Sequence, residues 1–283
     1  MVLEQLYSVQ FLREHPQYGF LLGLGYTIFG IALAMLLFPN DPALIAVAIT
    51  AILLLPSLYQ LTSIEEQIES EGHALNFRHL WNDNKQIISV YMTIFFGSFL
   101  AFAFFALVLP KLATNFLFRQ QLEVLYGVGG ATFSQALFWD LLSNNFKVLL
   151  LCFLISLIAG NGSIFLIIWN ASVWGTIFGN LAKTAAFNIA GSVFFLFLLI
   201  MIAVLPHVFL EMLSYILSVI SGTVISDGFA KESILSPRMK SVLVFNLAVL
   251  GSAILVLILG AIVETFVLNN FQTYATIASL AFR

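Results

Sequence analysis

The chain has 283 residues, of which 61% are hydrophobic and only 9% charged, with a mean hydropathy of +1.02. Soluble domains carry about 25% charged residues, so a soluble globular protein is excluded. The 11 basic residues stand against 14 acidic ones, leaving no basic excess to attract nucleic acid, and a single cysteine, Cys152, excludes an intrachain disulfide or a cysteine metal cluster.

The apolar blocks match the roughly 20 residues that a helix needs to cross the hydrocarbon, so the expected fold is all-α, a polytopic membrane bundle of about seven transmembrane helices. The N-terminal "MVLEQLYSVQFLREHPQYG" lacks the basic start and cleavage site of a removable signal peptide. The first span is therefore expected to act as its own insertion signal. Spans are read at Gly19 to Phe38 and Ala43 to Leu61, joined by "PNDP" as a tight turn. Together with the N-terminal segment they form a module over residues 1–61.

Residues 62–86 place Ile64, Ile68, Leu75 and Trp81 among acidic side chains, the pattern of an amphipathic cytoplasmic helix. It reads either as a solvated connector or as a contact for a protein partner. A membrane core follows over residues 87–283. Its first span runs from Ile87 to Leu109, and an external stretch over residues 110–147 follows. In that stretch "FSQALFWDLLSNNFK" groups Phe133, Leu137, Phe138 and Leu141 as a short interfacial helix, with Trp139 at headgroup level. The glycines Gly127, Gly129 and Gly130 fit no dinucleotide fingerprint and read as loop.

The block Val148 to Trp174 is interrupted by "AGNGS" and is read as one crossing with a kink or break at Gly160 and Gly162. Further spans are expected at Phe187 to Leu205, His207 to Ile225 and Val242 to Phe266. Lysine and arginine collect on the cytoplasmic side of short loops. Seven crossings then put the N-terminus and Arg13, Arg78, Lys85, Lys183, Lys231, Arg238 and Lys240 inside. Lys111, Arg119, Lys147 and the C-terminus fall outside a multi-pass cell-membrane protein.

Polar groups inside a bilayer are costly and need partners. In "LPHVFLEML", His207 and Glu211 lie four residues apart and share a helix face, and Pro206 fits the first turn of a helix. The pair reads as a structural tie, as a partner or ligand site, or as a proton-transfer site. Two ligands at this spacing make an incomplete metal site, and no cofactor is implied. Glu264 is expected near the membrane interface. Asn145, Asn161 and Asn170 form a polar line along the fourth block, and Gly175 and Gly179 have the Gly-xxx-Gly spacing of close helix packing. That glycine face suits a neighbouring helix or a second copy of the chain. A broken helix with free backbone groups also occurs at transporter substrate sites. A transporter or permease subunit with a midplane site at Asn161, Asn170, His207 and Glu211 is thus the alternative.

At "NNFKVLLLCFLISLIAGNGSIFLIIWNASVWG" and "LPHVFLEMLSYILSVISG" the chain resembles the stage II sporulation protein M family. The likeness covers roughly residues 87–267. It rests in order on Asn144 and Asn145, the break at 160–163, Asn170 and Gly175, the Pro206-His207 phrase with Glu211, and Ser221 with Gly222. The family usually has Gly where this chain has Ala171 and Val208. The resemblance implies a noncatalytic membrane scaffold, similar to the family member that places cell-wall hydrolases at the septal membrane of sporulating bacteria. Its partners would be the lipid bilayer and a membrane or surface protein, and the first two helices would be an addition to the family's five-helix core.

Overall fold

The computed structural model describes residues 8–70, 77–127, 135–233 and 236–281, and among them it is all helical. The helices are α1 (Val9–Glu14), α2 (Tyr18–Leu37), α3 (Pro42–Ser70), α4 (Phe77–Val108), α5 (Lys111–Leu117), α6 (Arg119–Gly127), α7 (Gln135–Ala159), α8 (Ile164–Ile189), α9 (Val193–Lys231), α10 (Pro237–Asn270) and α11 (Gln272–Ala281). A 3-10 turn, Gly160–Ser163, joins α7 to α8.

Among the described residues six helical stretches are long and apolar enough to cross a membrane, and one of them, Phe138–Ile189, has 52 residues. At 1.5 Å per residue a straight helix of that length would span roughly 78 Å, more than twice the hydrocarbon thickness. Contact order resolves this. Asn145, Leu149 and Phe153 of α7 meet Glu211, Ser218 and Gly222 of α9 in the same sequence, so α7 and α9 are parallel. Gly175, Gly179 and Lys183 of α8 meet Phe99 and Ala103 of α4 and Leu109 just past its end, so α8 is parallel to α4. The junction residue Asn161 touches Thr62, near the end of the apolar stretch Pro42–Ile64 of α3, and Tyr91, in the first half of the apolar stretch Asn84–Val108 of α4. The stretch therefore crosses, turns at Gly160–Ser163 and returns. Gly160 permits the turn because its φ of +52° is strained for any residue with a Cβ.

Counting the two arms separately gives seven helices among the described residues that can cross: α2, α3, α4, α7, α8, α9 and α10. The number matches the sequence reading, but the segments are apportioned differently. Val148 to Trp174 holds parts of two crossings, whereas Phe187 to Leu205 and His207 to Ile225 are not separate spans. The reversal lies before α9, where Ala190 takes a left-handed φ of 52° and Gly191 N–H reaches back to the Ala186 carbonyl at 2.9 Å. Ser192 then caps α9 by accepting from the Phe195 N–H at 3.4 Å. Pro206, expected at a helix start, lies inside α9, as membrane helices permit where neighbouring helices re-satisfy the freed backbone.

The expected separate helices on either side of α4 are also absorbed into longer ones. α3 runs on to Ser70 and α4 begins at Phe77; Leu75 and the side chains of Ile68 and Trp81 lie outside the described residues. Similarly, Phe138, Trp139 and Leu141 belong to the first turns of α7 rather than to a separate surface helix, while Gly129, Gly130, Phe133 and the Leu137 side chain fall outside the described residues.

α4 is the central helix: its span Asn84–Val108 is 72% buried, against 33% to 44% for the other candidates. Both neighbours approach it through glycine. A Cβ on Gly175 of α8 would stand 2.5 Å from the Phe99 carbonyl oxygen, and one on Gly179 would stand 2.9 Å from that of Ala103. The Gly175–Gly179 face is thus occupied within the chain and is not left for a second copy. On its other side, α4 offers Gly97 to the backbone of Phe20 and Leu24 in α2.

Lys183, expected on the cytoplasmic side with Lys231, sits at the opposite end of the bundle. Its Nζ donates to the Leu109 carbonyl at 3.0 Å and to Thr114 Oγ1 at 2.6 Å. There it satisfies a carbonyl at the C-terminal end of α4 and complements that helix's dipole. The shift follows from α8 making a full crossing.

Two measurements check this arrangement. In a Cys152→Ser background, cysteines at Ala159 and Ser233 are expected to react with an impermeant thiol reagent from one side and a cysteine at Gly191 from the other. Labelling of Ala159 and Gly191 from the same side would overturn the two-arm reading. Gly175→Ala is expected to destabilise the detergent-solubilised protein by about 1–3 kcal/mol through overpacking. Gly251→Ala, where nothing lies within 4 Å of the added Cβ, is the control and should leave the melting temperature unchanged or slightly raised.

Candidate functional site

Glu211 on α9 is 4% exposed, and its carboxylate meets two other helices. Oε1 accepts from Asn145 Nδ2 of α7 at 3.0 Å. On α10, Gly260 makes room, because a Cβ there would stand 3.4 Å from Glu211 Cγ. One turn further along α10, Glu264 brings its carboxyl into hydrogen-bonding range of Glu211. Glu264, expected near the membrane interface, turns inward to this contact.

Tyr215, one turn beyond Glu211, is buried at the same place and interacts electrostatically with both glutamates. Tyr274 of α11 faces Glu264, and burial pushes its phenol up to about 12. His207 shares the Glu211 face but makes no hydrogen bond with it. The imidazole is 5% exposed, and its buried Nδ1 has no partner. The pairing expected from the four-residue spacing is therefore replaced by a cross-helix one, in which α7 and α10 satisfy Glu211.

Asn161 lies at the other end of the bundle, in the turn between α7 and α8. Its Oδ1 accepts from Thr62 Oγ1 at 2.9 Å and from Tyr91 Oη at 3.4 Å, tying the turn to α3 and α4. Beside it, Lys231 Nζ lies 2.6 Å from Asp227 and 3.1 Å from Glu66, joining the end of α9 to α3. Asn170 donates to the Leu166 carbonyl of its own helix at 2.8 Å and has no cross-helix hydrogen bond among the described residues.

The structure brings Asn145 and Glu211 together with His207 alongside. Among the described residues no hydrogen bond links Asn161 or Asn170 to them, and the groove at Asn161 is lined by none of Asn170, His207 or Glu211. Sequence reasoning missed the inward role of Glu264 and the roles of Tyr91 and Thr62. Gly260, one turn before Glu264, signals a close approach on that face. Among the described residues no group of three or more His, Cys, Asp or Glu is placed to hold a metal ion.

The Asn145–Glu211 contact is open to a double-mutant cycle. Glu211→Ala is expected to cost about 1–3 kcal/mol by leaving the Asn145 amide without its acceptor. Asn145→Ala in the same protein should then cost less than it does alone, with a coupling of at least about 0.5 kcal/mol in thermal unfolding. Additive effects would show that the bond contributes nothing.

Comparison with curated proteins and with solved structures returned no match. A family model described as stage II sporulation protein M does match, over residues 91–267. The match begins at Tyr91 in α4, ends at Val267 in α10, and takes in Asn145, Asn161, Glu211 and Glu264. It covers more than half of the 283 residues. With Asn145, Asn161, Glu211 and Glu264 inside that matched core and its first three helices outside it, the chain belongs to the stage II sporulation protein M family.

Proposed function

We propose that this protein is a noncatalytic scaffold of the cell membrane that holds a membrane or surface protein in a complex. The observation that carries the reading is how the bundle spends its polar groups. Asn145, Glu211 and Glu264 tie α7, α9 and α10 together, whereas Asn161, Thr62 and Tyr91 tie the α7–α8 turn to α3 and α4. These are ties between helices at opposite ends of the bundle. A transporter site would bring such groups to one cavity. The groove that reaches Asn161 is lined by none of Asn170, His207 or Glu211. Family membership supports a membrane role in the same direction.

The charge distribution supports an orientation. Arg13, Lys85, Lys231, Arg238 and Lys240 gather at the face where α9 ends, and Lys111, Arg119 and Lys183 at the other. By the positive-inside tendency the first face is cytoplasmic. Seven crossings then put the N-terminus inside and the C-terminus outside.

Purification from its native membrane in mild detergent tests the scaffold. One protein is expected to co-purify at fixed stoichiometry through size exclusion and to be lost in a Glu211→Ala variant that still inserts. A chain that emerges folded and alone, and that supports solute flux in reconstituted vesicles, would replace the scaffold with the transporter.

A further inference from the structure

A groove of about 590 Å³ opens on the Lys231 face between α3, the Gly160–Ser163 turn and α9. Its outer wall is apolar and faces outward, with Ile158 at 87% and Tyr59 at 58% exposure. Its inner wall is polar, with Asn161, Ser226 and Asp227. A surface that changes from apolar to polar at the level where the membrane helices end matches the boundary between acyl chains and headgroups.

Two features specify the headgroup. Asn161 is 8% exposed, and its Oδ1 is turned to Thr62 and Tyr91. Among the described residues its Nδ2 has no hydrogen-bond acceptor, and the residue lines the groove, so a nearly buried amide presents its donors there. The second feature is charge. Among the described residues Lys231 carries the only positive charge of its ion-pair cluster, against the carboxylates of Asp227 and Glu66, which leaves a surplus of one negative charge there with Asp227 at the groove wall.

We propose that this groove binds one phospholipid whose headgroup carries a primary ammonium. Its chains lie along Tyr59 and Ile158, a phosphate or ester oxygen accepts from Asn161 Nδ2, and the ammonium reaches Asp227. A headgroup with net negative charge would meet the surplus carboxylate, and a quaternary ammonium would offer Asp227 no N–H donor.

Native mass spectrometry of the delipidated full-length protein, titrated with synthetic phosphatidylethanolamine, phosphatidylglycerol or phosphatidylcholine, tests the assignment. One phosphatidylethanolamine is expected to be retained, roughly tenfold more tightly than either other lipid. Asp227→Asn should reduce that preference. Ser226→Phe, which fills the groove without touching the Asn161 contacts, should abolish retention, with thermal unfolding confirming that each variant is folded. Equal retention of all three lipids, many weakly held copies, or undiminished binding by folded Ser226→Phe would each overturn the proposal and leave annular lipid only.

Discussion

Lipid tails are as apolar as leucine, so helices in a bilayer gain little from burying leucine against one another. Close backbone approach and cross-helix hydrogen bonds must supply the cohesion. α4 is where this constraint is met. Gly97 admits α2, and Gly175 with Gly179 brings α8 against the carbonyls of Phe99 and Ala103. Once α2 and α8 are fixed in parallel along α4, little freedom remains. α3 returns beside α2 with Thr50 donating to the Tyr26 carbonyl at 3.4 Å, and the Gly160–Ser163 turn must lie where α4 begins. α7 then arrives from the opposite face.

The second half of the bundle is organised by hydroxyl and carboxyl contacts more than by glycine. Ser218 of α9 donates to the Leu149 carbonyl at 2.8 Å, and Ser221 donates to that of Asn246 at 2.7 Å. Three residues apart, the two hydroxyls share a face of α9 and draw α7 and α10 side by side against it. Glu211 does the same with Asn145 and Glu264, but at higher stakes, because an unsatisfied carboxyl in hydrocarbon is far more costly than an unsatisfied hydroxyl. The short side chains at these contacts also let the helices approach closely.

Composition and block length were enough to read the class and the number of crossings, because both follow from hydrocarbon thickness. Segment boundaries were less legible. The turn at Ala190–Ser192 carries no charge and lies inside an almost continuous apolar run. Pro206 looks like a helix start although α9 continues through it. "AGNGS" was recognised as a break, but a kink and a reversal have the same local chemistry, and only the contacts of Asn161 with Thr62 and Tyr91 separate them. The site was half legible for a similar reason. Asn145 and Glu211 stand out as polar residues in apolar surroundings, whereas their pairing with each other and with Glu264 is long-range. A four-residue spacing on one helix drew His207 to Glu211 in its place.

α9 explains how the two polar centres coexist in one small bundle. Glu211 and Asp227 are 16 positions apart, roughly 24 Å along the axis, and at 3.6 residues per turn their side chains leave the helix about 160° apart. One therefore faces α7 and α10 while the other faces α3 and the groove. α7 runs parallel to α9 between the same two levels, starting beside Glu211 at Asn145 and ending in the turn that holds Asn161. The Leu149–Ser218 bond and the close approach of Ser156 to Gly222 fix the register between them. α9 cannot slide along α7 to favour one centre without breaking that register, so the carboxyl tie and the groove wall belong to one body. A partner or lipid that engages either end therefore acts on a unit whose geometry is set by the contacts in between.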